Sequence, residues 1–208
     1  MRVKALLVVS ALASALSRPA SAEVFHDAEV KPPGAFEVGF EGQFEFDPGT
    51  EGRVFGHAGV GIYERMEIHA KAGLLNRETN YFGGELRYGA IENGDGYPAL
   101  MAYAGGHWID VRKRAYKDFG GLDGGLTLSE TIYDQSFYVG YDVDADFVPE
   151  FKRILFHQHI LGGVKIPISD HLSFFVEGGY GVPTNSSLDL PAYLKTRSYI
   201  SGGAALYF

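Results

Sequence analysis

Residues 36–46 read FEVGFEGQFEF, and every second residue of this stretch is apolar or glycine. A period of two predicts a β-strand, because successive side chains of a strand point to opposite faces. One face would carry four phenylalanines and the other three glutamates. A soluble sandwich rarely places so many phenylalanines on one strand face without a large packed core opposite. The two faces are Phe36, Val38, Phe40, Gly42, Phe44 and Phe46, and Glu37, Gly39, Glu41, Gln43 and Glu45.

The same alternation recurs along the chain between short polar breaks, and no helical period lasts more than a couple of turns. A short connection at Tyr63-Glu64-Arg65 predicts a hairpin, and the similar Ile132-Tyr133-Asp134-Gln135-Ser136 predicts a second tight turn. In the fifth strand both faces are apolar or small, so the sequence leaves open whether His107 or Trp108 points inward. The predicted strands are residues 36–46, 53–62, 66–75, 81–90, 98–110, 122–133, 136–146, 154–166, 172–182 and 197–208.

Ten strands is an even number, as a single-chain barrel with both termini on one side requires. The sixth strand is the least regular, because Glu130 falls among its outward positions and residues 112–125 read as a Gly-rich loop. Eight strands is the alternative. The predicted fold class is all-β: a single antiparallel up-and-down transmembrane β-barrel, whose apolar faces meet lipid and whose charged faces line the lumen.

The N-terminus has the pattern of a secretory signal peptide over residues 1–22. Arg2 and Lys4 precede an apolar run at residues 5–16, and Ala20-Ser21-Ala22 supplies small residues before a cleavage site. A membrane-anchoring helix is the alternative, but about 12 apolar residues are fewer than the ~20 needed to span a bilayer. We expect residues 23–34 to form an N-terminal periplasmic segment and residues 35–208 to form the barrel.

Composition excludes several classes of protein. Cleavage after residue 22 would remove three cationic side chains, so the net charge would change from −8 to −11. An acidic surface is unsuited to binding nucleic acid, which needs cations to neutralise phosphates. The chain has no cysteine, which excludes disulfides and thiolate metal sites.

The last strand ends in Tyr207 and Phe208. Together with the signal peptide and the alternation over residues 36–208, this ending resembles small bacterial outer-membrane β-barrel proteins, the OmpA/OmpX-like barrel superfamily. The resemblance implies export to the outer membrane of a Gram-negative bacterium and contact with outer-membrane lipid and lipopolysaccharide. It also implies that the barrel-assembly machinery reads the C-terminal strand, with Tyr207 and Phe208 as the assembly signal. The chain departs from the family in having ten strands instead of eight, and short outer loops at residues 47–52 and 76–80 put adhesion in doubt.

Alternation predicts a lumen filled by a network of charges that stabilises the interior and restricts passage. General porins have 16 to 18 strands, so we expect a structural or narrow-channel, porin-like role. The predicted lumen network is Glu37, Glu41, Glu45, Arg53, His57, Glu67, His69, Lys71, Glu85, Arg87, His157, His159, Lys165, Glu177 and Arg197.

An outer-membrane enzyme acting on lipid A or peptides, or a barrel that binds lipopolysaccharide or another ligand, is the alternative function. The available catalytic groups match no local signature, so no catalytic residue and no cofactor are predicted. They are His107, His157, His159, Ser129, Ser173, Ser201 and Glu177. A soluble secreted β-sandwich is the remaining class.

Three further groups of residues could form a metal site, a lipopolysaccharide contact or an aromatic girdle. His157 and His159 share one strand face and could ligate a metal with Glu177, but the simpler interpretation is that they bond neighbouring carboxylates, so no metal is predicted. The basic cluster Arg112, Lys113, Arg114 and Lys117 could contact lipopolysaccharide phosphates. Aromatic residues near strand ends fit the girdles of a membrane barrel: Tyr63, Tyr97, Tyr133, Tyr207 and Phe208.

Overall fold

Ten antiparallel strands close into one barrel, in which each strand pairs with the next along the chain and β10 pairs with β1. The computed structural model describes residues 28–46, 51–76, 79–94, 97–111, 117–149, 152–182 and 198–208. Over these ranges no residue is helical, and no helix is long and apolar enough to cross a membrane. The strands are β1 (Phe36–Phe46), β2 (Glu51–Tyr63), β3 (Met66–Asn76), β4 (Thr79–Ile91), β5 (Ala99–Val111), β6 (Phe119–Ile132), β7 (Gln135–Val148), β8 (Arg153–Ser169), β9 (Leu172–Val182) and β10 (Ser198–Tyr207).

The prediction of ten strands is confirmed, and the alternative of eight is wrong. Both predicted tight turns occur, between β2 and β3 and between β6 and β7. Tyr133 and Asp134 have φ angles of 51° and 66°, the left-handed pair that a two-residue type I′ hairpin requires.

The predicted Gly-rich loop at residues 112–125 is wrong from Phe119 onward, because β6 begins there, three residues before the predicted start of the sixth strand. Residues 112–116 lie outside the described residues. The glycine-rich stretch pairs along its whole length with β5 and β7. Its inward glycines lie opposite bulky side chains of β5, Gly121 against His107 and Gly125 against Tyr103. Here glycine provides space for a neighbouring ring, and it does not mark a break in the strand.

Each strand turns an apolar face outward. The phenylalanines of β1 are all exposed, and each of the other nine strands also exposes large apolar side chains. Trp108 is outward and 50% exposed, which settles the orientation of β5, since its neighbour His107 faces the interior. Tyr207 does not belong to the aromatic girdle as predicted: it is 1% exposed, because alternation puts it on the face opposite Leu206 and Phe208.

The two ends of the barrel differ. At the turn end lie the connections after β2, β4, β6 and β8 together with the start of β1 and the end of β10. The opposite end, the loop end, carries the remaining connections. The predicted signal peptide, three of the four residues of the basic cluster (Arg112, Lys113 and Arg114) and Arg197 lie outside the described residues. Lys117 is described and is exposed.

Residues 28–35, which we call the N-terminal segment, run across the turn end. The amide of Gly34 donates to the carbonyl of Gly61 at 2.8 Å, and the amide of Gly61 donates to the carbonyl of Ala35 at 3.0 Å. Ala28 packs inside the barrel with Ala99 and Met101 of β5, and Lys31 is 1% exposed. The N-terminal segment therefore covers the interior at this end.

Gly61 allows this segment to approach the wall. A Cβ atom at position 61 would lie 2.2 Å from the Pro32 carbonyl oxygen, whereas one at Gly42 would meet nothing closer than 3.9 Å. We expect Gly61→Ala to lower the free energy of unfolding by about 1–3 kcal/mol, the usual cost of overpacking. Gly42→Ala is the matched control and should change it little. Denaturant unfolding of both variants measures the difference, and equal stabilities would contradict the close contact.

Candidate functional site: the barrel lumen

Aromatic rings and imidazoles on the inner wall lie opposite glycines of the adjacent strand. A Cβ atom on Gly39 would lie 2.1 Å from His57 Nε2, and one on Gly179 would lie 2.1 Å from a ring carbon of Tyr199. Each ring thus lies over bare backbone, which leaves the axis of the barrel free for other groups. The cross-strand ring–glycine pairs are Phe55–Gly73, His57–Gly39, His69–Gly59, Tyr103–Gly125, His107–Gly121, Tyr138–Gly163, Phe175–Gly203 and Tyr199–Gly179.

The centre of the turn-end half is occupied by Lys31 of the N-terminal segment. Its Nζ lies 3.1 Å from Glu37 Oε2 and 3.2 Å from Glu67 Oε2, and its amide donates to Glu67 at 3.0 Å. All three side chains are at most 1% exposed. Ion pairs this deeply buried persist only when the charges are matched and hydrogen-bonded.

Arg87 continues this cluster from β4. Its guanidinium lies 3.3 Å from Glu67 Oε1 and pairs with Glu85. On the other side, His57 Nδ1 lies 3.0 Å from Glu37 Oε1, and His69 Nε2 lies 3.5 Å from the same oxygen. The N-terminal segment and the four strands β1 to β4 thereby share one buried electrostatic cluster.

Two further ion pairs lie nearer the loop end. Arg53 pairs with Glu45 at 2.7 Å, and Lys71 pairs with Glu41 at 2.9 Å. The ammonium of Lys71 also lies 4.1 Å from the centre of the Phe55 ring, a cation–π contact.

The structure places fourteen of the fifteen predicted lumen residues on the inner face, and the fifteenth, Arg197, lies outside the described residues. Four are partly buried: Arg53, Lys71, Glu85 and His159. The buried ones are Glu37, Glu41, Glu45, His57, Glu67, His69, Arg87, His157, Lys165 and Glu177. Those of the turn-end half gather around Lys31, and Lys165 lies 4.0 Å from Glu29 of the N-terminal segment. His157, His159 and Glu177 line a cavity that His69 and Glu85 also border.

That cavity has a volume of about 210 Å³ and is lined by carboxylates of β1, β4, β6, β7 and β9, by histidines of β3, β5 and β8, and by Arg53 and Lys71. His107 lies between two carboxylates, with Nδ1 3.2 Å from Asp123 and Nε2 2.7 Å from Asp146. Tyr103 donates to Asp142 at 2.7 Å, and His157 Nε2 lies 3.3 Å from Asp146. Glu177, part of the metal set considered from sequence, instead accepts a hydrogen bond from Tyr199 at 2.6 Å.

An apolar layer lies beyond the cavity toward the loop end. It is formed by buried side chains at the loop-end parts of six strands, with Tyr81 and Val111 packed against it. The interior therefore changes along the axis from the cluster around Lys31 to the acidic cavity and then to this layer. The buried members are Phe55, Leu75, Ile109, Phe119, Val148 and Leu155.

Lys31 and the aspartates of the cavity are lumen residues that were not predicted from the sequence. Alternation in β7 could have identified Asp142, Asp144 and Asp146, because they occupy the positions between outward apolar residues. No comparable pattern marks Lys31, which lies outside any strand and reaches the lumen only through the path of the N-terminal segment.

Among the described residues, the serines considered for catalysis make no hydrogen bond to a base, although Ser201 lies opposite Glu177 in the strand register. Ser129 Oγ accepts a hydrogen bond from the amide of Ala28 at 3.2 Å. The hydroxyls of Ser173 and Ser201 are buried and have no hydrogen-bond partner among the described residues. Nucleophilic catalysis by serine requires a hydrogen-bonded base, so these hydroxyls lack the arrangement it needs.

Lys31 offers a direct test of the buried cluster. We expect Lys31→Met to lower the free energy of unfolding by about 3–5 kcal/mol, because Glu37 and Glu67 would lose their shared cation while remaining buried. Arg65→Met is the matched control, since Arg65 pairs with Glu92 at 3.0 Å but both side chains are exposed. That change should cost less than about 1 kcal/mol. Denaturant titrations of both variants decide the matter, and a small effect at Lys31 would show that the cluster is not electrostatically coupled.

No family model and no curated protein matches the chain. Among solved structures, the chain is similar to a designed transmembrane β-barrel, with 13% identity and a TM-score of 0.44 over 86% of this chain and 100% of that one. It is similar to Omp33 of Acinetobacter baumannii, with 9% identity and a TM-score of 0.43 over 84% and 98% of the two chains. It is also similar to the N-terminal barrel domain of OprF from Pseudomonas aeruginosa, with 12% identity and a TM-score of 0.38 over 85% and 98%. At these scores the fold assignment rests on the strand pairing of the protein itself.

Proposed function

We propose that the protein is an integral outer-membrane β-barrel with a structural or narrow-channel role, and that its lumen is closed to general solutes. The observation that carries this proposal is the distribution of apolar and charged side chains between the two faces of the barrel wall. Its outer surface is apolar on all ten strands, while its inner surface holds buried ion pairs.

The outer surface supports a location in lipid. A water-soluble protein of this size rarely exposes contiguous apolar surface of more than a few hundred square ångströms, whereas this barrel exposes large hydrophobic side chains on every strand. Exposed apolar side chains extend from Phe36 to Phe46 on β1 and from Phe137 to Phe147 on β7, and about eleven residues is the length with which a tilted strand crosses a bilayer. Tyr63, Tyr97 and Tyr133 are exposed at the turn end, where a membrane barrel carries its aromatic girdle.

An even, closed, antiparallel barrel is typical of the outer membranes of Gram-negative bacteria. The same proposal includes three further roles. Residues 1–22 direct export, Lys117 and its basic neighbours contact lipopolysaccharide, and the barrel-assembly machinery reads Tyr207 and Phe208. The family relationship to OmpA/OmpX-like barrels is likewise part of the proposal.

The interior supports restricted passage. At the turn end the N-terminal segment lies across the lumen, and Lys31 is buried in ion pairs with Glu37 and Glu67. Opening a path there would require breaking these contacts and exposing the charges, which costs several kcal/mol. A path for solutes therefore depends on displacement of the N-terminal segment.

A charged residue on the outer surface distinguishes lipid from water as the surroundings. Leu126 lies near the middle of β6 and is 53% exposed. We expect Leu126→Arg to destabilise the barrel in lipid vesicles by about 2–4 kcal/mol, the cost of arginine near the bilayer midplane. Tyr133→Arg, at a turn position that is 94% exposed, should be nearly neutral. Equal and negligible costs in vesicles would indicate an aqueous surface at Leu126 and would overturn the proposal.

Planar-bilayer conductance tests the closed lumen. We expect the wild-type protein to show no lasting open state, and a variant lacking residues 23–33 to show discrete openings. These openings should favour cations, because Glu37 and Glu67 remain without Lys31. Arg65→Ala, at the same end but outside the lumen, is the control and should stay closed. Stable wide openings in the wild type would refute the closed lumen, and silence in the deletion variant would refute the role assigned to the N-terminal segment.

A further inference from the structure

We propose that Asp142, Asp144 and His159 form a binding site for a divalent transition-metal ion inside the barrel. The two aspartates are alternate residues of β7 and so share its inner face. His159 of β8 is paired directly with Asp142 in the strand register. One ligand atom from each of the three side chains lies within 4.8 Å of the other two, and all three border the 210 Å³ cavity.

The spacing suits a metal ion better than it suits direct contact. His159 Nδ1 is 3.6 Å from Asp142 Oδ2, which is too long for a hydrogen bond. Ligands bound to a tetrahedral ion at about 2.0–2.2 Å are separated from one another by roughly 3.3–3.6 Å. Small side-chain rotations would therefore bring all three groups into the coordination shell of one ion.

The surroundings of the Asp144 carboxylate independently favour a bound cation. Among the described residues, this carboxylate lies within 4.8 Å of His107 and opposite His157 in the strand register, but both imidazoles contact Asp146. The other carboxylates that face the cavity each have a partner: Asp123 and Asp146 with His107, Asp142 with Tyr103, Glu177 with Tyr199, Glu41 with Lys71, Glu45 with Arg53 and Glu85 with Arg87. A half-buried carboxylate whose neighbouring imidazoles contact another acid is costly, and Asp142 on the same strand face adds a like charge. A divalent cation between Asp142 and Asp144 would remove both penalties.

Two neighbouring groups with similar spacing are less suited to a metal. His107 lies near Asp123 and Asp144, but both of its ring nitrogens already face carboxylates. Glu37, His57 and His69 also lie close together, but the ammonium of Lys31 is 3.1 Å from Glu37 and would repel a cation.

The ligand types select the class of ion. An imidazole nitrogen with two carboxylates suits Zn²⁺, Co²⁺ or Mn²⁺, whereas Ca²⁺ and Mg²⁺ prefer oxygen ligands alone. Three protein ligands leave at least one coordination position open toward the cavity, where water could complete the shell.

Cobalt binding to the refolded barrel in detergent tests the site, because Co²⁺ absorbs visible light with an intensity that depends on its coordination. We expect one Co²⁺ per chain, displaced by Zn²⁺ but not by an equal concentration of Ca²⁺. Asp144→Asn and His159→Gln should each weaken binding by about 100-fold or more, since even residues that only support a metal ligand are worth 10–100-fold.

Glu177→Gln is the matched control, because Glu177 borders the same cavity but lies outside the proposed ligand set. This variant should keep wild-type affinity. Without metal, Asp144→Asn should unfold at a higher denaturant concentration than the wild type, because it removes one of two adjacent like charges. Absence of Co²⁺ binding, or equal binding by wild type, Asp144→Asn and His159→Gln, would overturn the proposal. A loss confined to Glu177→Gln would assign the ion to different ligands.

Discussion

The narrow interior of a ten-stranded barrel is the constraint on which the other features depend. Ten strands leave little room beyond that needed for side chains, so rings that point inward must lie against the wall. The cross-strand glycines opposite His57, Tyr103, His107 and Tyr199 make this possible. At the turn end, Lys31 fills the space that the glycines leave. Nearer the loop end, that space remains open as the acidic cavity.

The polar interior and the apolar exterior are two results of one alternation. In the proposed membrane location, the strand face that meets lipid is apolar, so the charged residues lie on the other face. Charges enclosed there need partners, and the strands alone do not supply enough of them in the turn-end half. The N-terminal segment contributes the central cation, and the carboxylates of Glu37 and Glu67 hold it in place. The same segment that covers the opening thus also balances the charge.

The sequence was most informative where one local rule decided the structure. Alternation gave the strands, their faces and the tight turn at Tyr133-Asp134, because period and turn chemistry are both local. It failed for residues 119–125, where glycine was taken as the mark of a loop, although its function there depends on rings in another strand. Tyr207 was misplaced because aromatic character was weighed above its position in the alternation. Lys31 could not have been found, since its burial depends on tertiary contacts and not on any repeating pattern.

The path of the N-terminal segment has a consequence for the order of folding. Its contacts are with β2 through Gly61, β3 through Glu67, β5 through Ala99 and Met101, and β6 through Ser129, which is 101 residues away along the chain. None of these surfaces exists until the strands are in register. The part of the described chain that leaves the ribosome first is therefore among the last to reach its native position. Until it docks, the assembling barrel holds an unbalanced pair of glutamates in an interior that water can still enter.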